Sequence, residues 1–219
     1  EYLKESAQRL GYQNDIKLWL PVLPETMYLK QLPGYEEESF DGKRWPEQGH
    51  RWNLQVKIGL YDDPENQAQS PLVVDFAEGG HHAVCGMVMS GKSTFLQSLA
   101  FALVSRYTPD YVNLYAIDFS SRMMSPFEGL AHVGGIMYEG DMEKISKFFT
   151  MISRILSERK LLFKGGNYSQ YVQANGVTCP SIIVMIDSYA NFKEKTENQY
   201  EDALIQLAKE GSANGIYLV

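Results

Sequence analysis

Cysteine is scarce in this 219-residue chain, which holds only Cys85 and Cys179. A disulfide framework is therefore excluded, a reducing cytosol is the natural setting, and neither thiol has metal-ligand spacing. Basic residues are in the minority, 20 Lys and Arg against 27 Asp and Glu, for a net charge of −7. That balance suits protein partners better than a DNA backbone, where neutralised phosphates supply most of the affinity. No apolar run approaches the roughly 20 residues of a membrane span. No secretory signal pattern opens the chain, and Glu1 begins on a segment already helical in character, so an excised piece is expected. What is present is ordinary for a globular core: 44% hydrophobic and 21% charged residues. The length suits one large domain, or one domain plus an extension.

Residues 1–53 read as an N-terminal extension. Residues 2–10 have helical spacing closed by Gly11. Pro21, Pro24 and Pro33 then forbid a continuous helix or a central strand, and an acidic run follows over 35–42. The stretch predicts an extended, proline-rich connector or lid, with Trp19, Trp45 and Trp52 packed on the chain's own core. From residue 54 the pattern changes, and 54–219 reads as the main domain. Residues 54–58 and 71–76 predict the strands of a hairpin, turned at 62–66. Strands are predicted over 81–85, 111–118, 133–137, 181–187 and 215–219. Helices are predicted over 92–104, over 141–163 with Asp141 as its cap, and over 201–209. Apolar strands alternating with helices predict an α/β fold, a parallel sheet covered on both faces.

The segment Gly86-Met87-Val88-Met89-Ser90-Gly91-Lys92-Ser93 fits the phosphate-loop pattern G-x-x-x-x-G-K-[ST], and a predicted strand and helix flank it. Backbone N–H groups from Gly86 to Thr94, including those of Met89 and Ser90, would cradle a phosphate chain at the positive end of the helix. Lys92 would reach the β/γ-phosphates and the Ser93 hydroxyl would hold Mg²⁺. Residues 182–186 are an apolar run ending in Asp187, the second Mg²⁺ ligand of such a site. Ser188 follows, where many ATPases of this class carry a water-activating Glu. A hydroxyl without its own base is a poor substitute, and losing a catalytic base costs about 10²–10⁴-fold. Binding preserved and hydrolysis impaired is the expected outcome. Met89 departs from the small residue common beside the phosphates, so it either strains the loop or folds outward. Glu194 is expected on the solvated surface. His81 and His82 point to opposite faces and make no shared metal site. His132 is expected to pack or hydrogen-bond locally, and Arg122 and Arg159 to form surface ion pairs rather than contact a neighbouring subunit's nucleotide.

These residues resemble a family. Asp187-Ser188-Tyr189-Ala190 lies where FtsK/SpoIIIE-type ATPases carry Asp-Glu-Phe/Tyr-Ala. Residues 207–219 are similar to that family's stretch L-A-x-x-G-R-x-x-G-I-H-L-V, with Ser212 in place of the Arg of the DNA translocases. Residues 117–119 and 131–135 resemble its second-strand end and its P-H-V-G-G turn. More specifically, residues 58–67 resemble the G-L-x-D-D-P-x-x-Q approach of the C-terminal ATPase modules of type VII secretion ATPases (EssC or EccC), with a looser echo at 18–24. The resemblance implies a RecA-like phosphate-loop core using ATP and Mg²⁺, within the cytoplasmic portion of a bacterial membrane-anchored chain of tandem modules. It also implies neighbouring ATPase modules, small helical WXG-type secretion substrates and a homo-oligomeric ring as partners. Against that family's pattern the domain is expected to stop short at its C-terminal end, inside the strand between the phosphate-loop and Mg²⁺ strands. A DNA-translocating ATPase and an interaction module that binds no nucleotide are the alternatives. The acidic charge, Ser188 and the D-D-P-x-x-Q approach count against DNA.

Overall fold

The structure, a computed structural model, describes residues 2–12, 20–48 and 53–219. Trp19, Trp52 and the first two residues of the 18–24 echo lie outside the described residues. The chain opens with α1 (Tyr2–Arg9), and a hairpin follows the connector, β1 (Gln55–Asp63) and β2 (Ala68–Asp75). Next come the short α2 (Phe76–Gly79), then α3 (Lys92–Arg106), β3 (Val112–Asp118), β4 (Val133–Tyr138) and α4 (Met142–Phe163). The remainder is α5 (Tyr168–Asn175), β5 (Ser181–Asp187), α6 (Tyr189–Lys195), α7 (Glu201–Glu210) and β6 (Ile216–Leu218).

Four strands form a parallel sheet in the order β4-β3-β5-β6. Their apolar runs are continuous because both faces are covered. Along β5, Ile183 and Met185 pack on the side of α3 and the hairpin, while Ile182 and Val184 join α4 and α7 on the other. α4 buries Ile145, Phe148, Phe149, Ile152, Leu156, Arg159 and Phe163, a stripe at three- and four-residue steps. Fully burying one such apolar side chain stabilises by about 1.5–3 kcal/mol. The hairpin pairs antiparallel with a bulge between Lys57 and Gly59, and lays Leu54, Val56 and Val74 against Leu99, Leu103 and Tyr107.

The connector lies on the core. A helix leaves its last four carbonyls without partners inside the helix, and at the end of α3 each finds one. Tyr107 N–H donates to Leu103 O at 3.0 Å and Phe40 N–H to Ser105 O at 2.7 Å. The Trp45 indole donates to Val104 O at 2.8 Å, and the Gln48 amide to Arg106 O at 2.9 Å. Glu38 pairs with both Lys57 and Arg106, at 2.8 and 2.6 Å. Trp45 thus packs on the chain's own core, as expected.

Four expectations need correction. Residues 81–85 make no regular strand. His82 N–H donates to Leu218 O at 2.9 Å, but Leu218 N–H donates to the Nδ1 of His81 at 2.9 Å. A side chain takes the amide that a neighbouring strand's carbonyl would have accepted, so the segment runs beside β6 without a ladder. Asp141 occupies the cap position of α4 but makes no cap bond. Its carboxylate accepts instead from Tyr138 N–H and Lys144, both at 3.2 Å. Arg159 is no surface residue: it is 5% exposed and donates to the carbonyls of Asn214, Gly215 and Pro180 at 2.8, 3.0 and 2.5 Å. Arg122 is exposed, but its guanidinium lies 4.6 Å from the Tyr138 ring centre and pairs with no carboxylate among the described residues. The short α5 and α6 were also absent from the sequence reading. His132 behaves as expected, buried with its Nε2 at 2.7 Å from Tyr107 O.

Candidate functional site

The carboxyl edge of the sheet is where the motif residues meet. β3 and β5 run in register to their last residues, so Asp118 stands directly beside Asp187. The two carboxylates have opposite situations. Asp118 accepts three backbone N–H groups, from Ser120 at 3.1 Å, Arg122 at 3.2 Å and Met124 at 3.1 Å. It organises the loop after β3, and both its oxygens are already engaged by the chain's own backbone. Asp187 is 6% exposed, and its Oδ2 is buried with no hydrogen-bond partner. An orphaned carboxylate oxygen costs about 1–3 kcal/mol unless something external satisfies it. A divalent cation does so, and oxygen ligands are what Mg²⁺ takes.

Residues 86–91 form the turn that carries the chain into α3. A Cβ at Gly86 would overlap the Ser90 hydroxyl, which would have to turn away. Gly91 caps α3 with φ 89°, in the left-handed region open to glycine. Met89 shares that conformation at φ 64°, where a side chain costs roughly 1–2 kcal/mol. Its side chain is 98% exposed. Met89 therefore both strains its backbone and folds outward. The Lys92 ammonium turns back into the loop and donates to Gly86 O at 2.9 Å and Met87 O at 2.7 Å.

A cavity of about 590 Å³ lies beside this loop, lined by Cys85, Lys92, Leu96, Asp187 and Ser188 among others. The loop lysine and the residue that ends β5 are both among its lining residues. Gly86, Met89, Ser90, Gly91, Ser93 and Thr94 do not line it; they form the exposed loop and the first turn of α3 next to it. Ser188 opens α6 at φ 65°, ψ 61°, a left-handed non-glycine residue immediately after Asp187. Glu194 is exposed. Among the described residues no group of three His, Cys, Asp or Glu could hold a metal alone. Any Mg²⁺ here would need phosphate or water oxygens to complete its shell, which suits an ion that arrives with a nucleotide. The Gln97 amide, one turn into α3, donates to Met123 O at 2.5 Å and ties the helix to the loop that Asp118 organises. Sequence reasoning missed that tie.

Comparison with known proteins settles the family. A model of the FtsK/SpoIIIE family matches residues 44–178. The chain belongs to the FtsK/SpoIIIE family. It is 30% identical to the type VII secretion system protein EssC of Staphylococcus aureus (strain MRSA252), over 223 residues that take in 100% of this chain and 15% of EssC. The cytoplasmic domain of the Thermomonospora curvata type VII secretion ATPase EccC superposes with a TM-score of 0.78 at 28% identity, over 92% of this chain and 24% of that one. The structure of T. curvata EccC (ATPases 2 and 3) in complex with a signal sequence peptide gives 0.71 at 28% identity, covering 83% and 33%. The chain is thus homologous to the ATPase domains of these secretion proteins and spans 15% of the length of the curated relative. FtsK/SpoIIIE-family members are phosphate-loop ATPases, which use ATP and Mg²⁺. Among the described residues no helix is long and apolar enough to cross a membrane.

Proposed function

We propose that this chain is an ATP- and Mg²⁺-binding module of a type VII secretion ATPase that hydrolyses ATP weakly or not at all. The buried, unpartnered Oδ2 of Asp187, a residue that lines the same cavity as Lys92, is the observation that carries this reading. Asp187 and Ser93 are the residues that would hold Mg²⁺, and Mg²⁺ would supply neutralisation of phosphate charge. Lys92 exchanges two neutral carbonyl partners for phosphate oxygens, a stronger charge-assisted bond. The backbone N–H groups from Met89 to Thr94 bind the phosphate chain. Ser188 holds the position that would activate water, and its hydroxyl has no base to take its proton. The module would sit in the cytoplasmic portion of a longer membrane-anchored chain, beside sister ATPase modules and in contact with secreted WXG-type proteins. The tandem modules and the bound signal peptide of the EccC structure support that placement.

Calorimetric titration of ATP with Mg²⁺ into the wild type and Lys92→Ala tests the reading. Binding that the substitution abolishes is expected, with phosphate release at most a small fraction of that of an active module. The absence of Lys92-dependent binding would sink this reading and favour an interaction module without nucleotide, and robust turnover would contradict the role given to Ser188. Tight, salt-dependent duplex DNA binding would favour a DNA translocase.

A further inference from the structure

The helix that carries the phosphate loop is held at both ends, and its two holds face different parts of the protein. At its start lie Gly91, Lys92 and the loop. At its finish, three of its last four carbonyls accept from the connector: Val104 O from the Trp45 indole, Ser105 O from Phe40 N–H and Arg106 O from the Gln48 amide. Glu38 clamps Arg106 of the last turn and Lys57 of β1 together. Phe40 and Trp45 pack at a tilt with ring centres 4.6 Å apart, and Trp45 lies 5.6 Å from the ring of His132, just before β4. Leu32, 4% exposed, anchors the upstream end of the strap. Between its ends α3 is one continuous helix packed by Leu96, Leu99 and Leu103, all fully or nearly fully buried, a stiff rod between the two holds.

We propose that residues 38–48 form a strap that couples the chain preceding this module to its nucleotide site through α3. This rests on the nucleotide-binding reading above. With the strap docked, the last turn of α3 is capped, and Gln97 ties the first half of the helix to the loop after β3. When tension or a partner draws the strap away, three backbone carbonyls lose their donors, Arg106 loses Glu38, and the rod loses its fixed end. Linkage is reciprocal: if a docked strap tightens nucleotide binding, bound nucleotide tightens the strap by the same factor. A preceding module can thus sense whether this one is loaded without touching the nucleotide. The donors are one backbone N–H, one indole and one amide, spread over residues 40–48.

Hydrogen exchange followed by mass spectrometry on the 219-residue chain, with and without ATP and Mg²⁺, reads the strap through the Phe40 amide. Saturating nucleotide is expected to slow exchange in the peptide holding Phe40 about fivefold or more, and Lys92→Ala to abolish the slowing. Conversely, Trp45→Phe and Gln48→Leu, each removing one donor while keeping bulk, are expected to weaken ATP binding severalfold at a temperature where circular dichroism shows them folded. A merely structural strap would lower the melting temperature and leave both the affinity and the nucleotide-dependent protection unchanged, which overturns the coupling. If the wild type binds no ATP at all, the nucleotide reading fails and the coupling falls with it. Lys92-dependent ATP binding with no change at Phe40 refutes the coupling alone.

Discussion

Asp187→Asn is expected to stabilise the ligand-free chain and to remove its response to Mg²⁺, two effects of opposite sign from one atom. In the free protein, Asp187 Oδ2 is buried and without a partner. Such an atom costs about 1–3 kcal/mol, and a neutral amide is cheaper to bury than a carboxylate. A gain of about 1 kcal/mol is expected from the substitution, worth roughly 2–4 °C in melting temperature for a chain of this size. Saturating ligand acts in the other direction. At a hundred times the dissociation constant, ATP with Mg²⁺ stabilises the wild type by about 2.7 kcal/mol, or roughly 5–11 °C. The variant keeps Lys92 and the loop and so keeps metal-free ATP binding, but it loses the increment that Mg²⁺ adds. Differential scanning calorimetry of both proteins, with no ligand, with ATP plus EDTA and with ATP plus Mg²⁺, separates the terms. A variant that melts lower when free and still gains the full Mg²⁺ increment would show that Asp187 is a structural residue.

Ser188 yields a second test. Its φ of 65° is strained for a side chain, so Ser188→Gly is expected to raise stability by about 1 kcal/mol in urea denaturation. Ser188→Glu is expected to increase steady-state phosphate release, and turnover no higher than wild type would remove this position from the account of hydrolysis. Arg159→Met leaves the Asn214 and Pro180 carbonyls without the guanidinium they accept from; a loss of about 2–4 kcal/mol is expected, and one below 0.5 kcal/mol would contradict that role. Burial is the first cause holding both His81 and His132 below the usual histidine value. A depressed folded-state value means the unfolded chain binds protons first. Their contribution is complete above about pH 6.5 and is lost as the pH falls through the folded-state values, at no more than about 1.4 kcal/mol per unit for each histidine. Urea midpoints should therefore drop between pH 7.5 and 5.5, and drop less in His132→Phe. An equal drop in that variant would assign the effect elsewhere.

The sequence was most legible where chemistry is local and periodic. β5 matches its expected bounds because an apolar run between Pro180 and a terminal Asp187 has few other fates in a two-sided sheet. α4 follows from its stripe of buried positions. The same stripe held an unused signal: residues 152, 156, 159 and 163 step by four, three and four, so position 159 falls on the buried face whatever its charge. Residue type outweighed spacing there, and spacing was the better guide. The 81–85 segment shows the reverse failure. Its apolar pattern was real, but a ladder needs a partner's carbonyls, and the His81 ring took the Leu218 amide instead. α5 and α6 are too short for periodicity to declare them; the Asn167–Gln170 capping box was the cue to α5.

The two carboxylates at the sheet edge show how a motif is divided between structure and chemistry. Either Asp, read alone, closes an apolar strand. In register, both oxygens of Asp118 accept backbone N–H groups, while Asp187 keeps one buried oxygen without a partner in the cavity lining that includes Lys92. That asymmetry makes Asp187 the residue with a ligand to gain. Hydrolysis needs one group more, a base able to take a proton from water, and the residue next to Asp187 supplies a hydroxyl in a strained backbone. On the function proposed above, nucleotide binding and nucleotide turnover would rest on different residues of one edge. A module of this kind would lose the second at Ser188 while Lys92 and Asp187 keep the first, and on the proposed coupling α3 would still report occupancy to the strap at its other end.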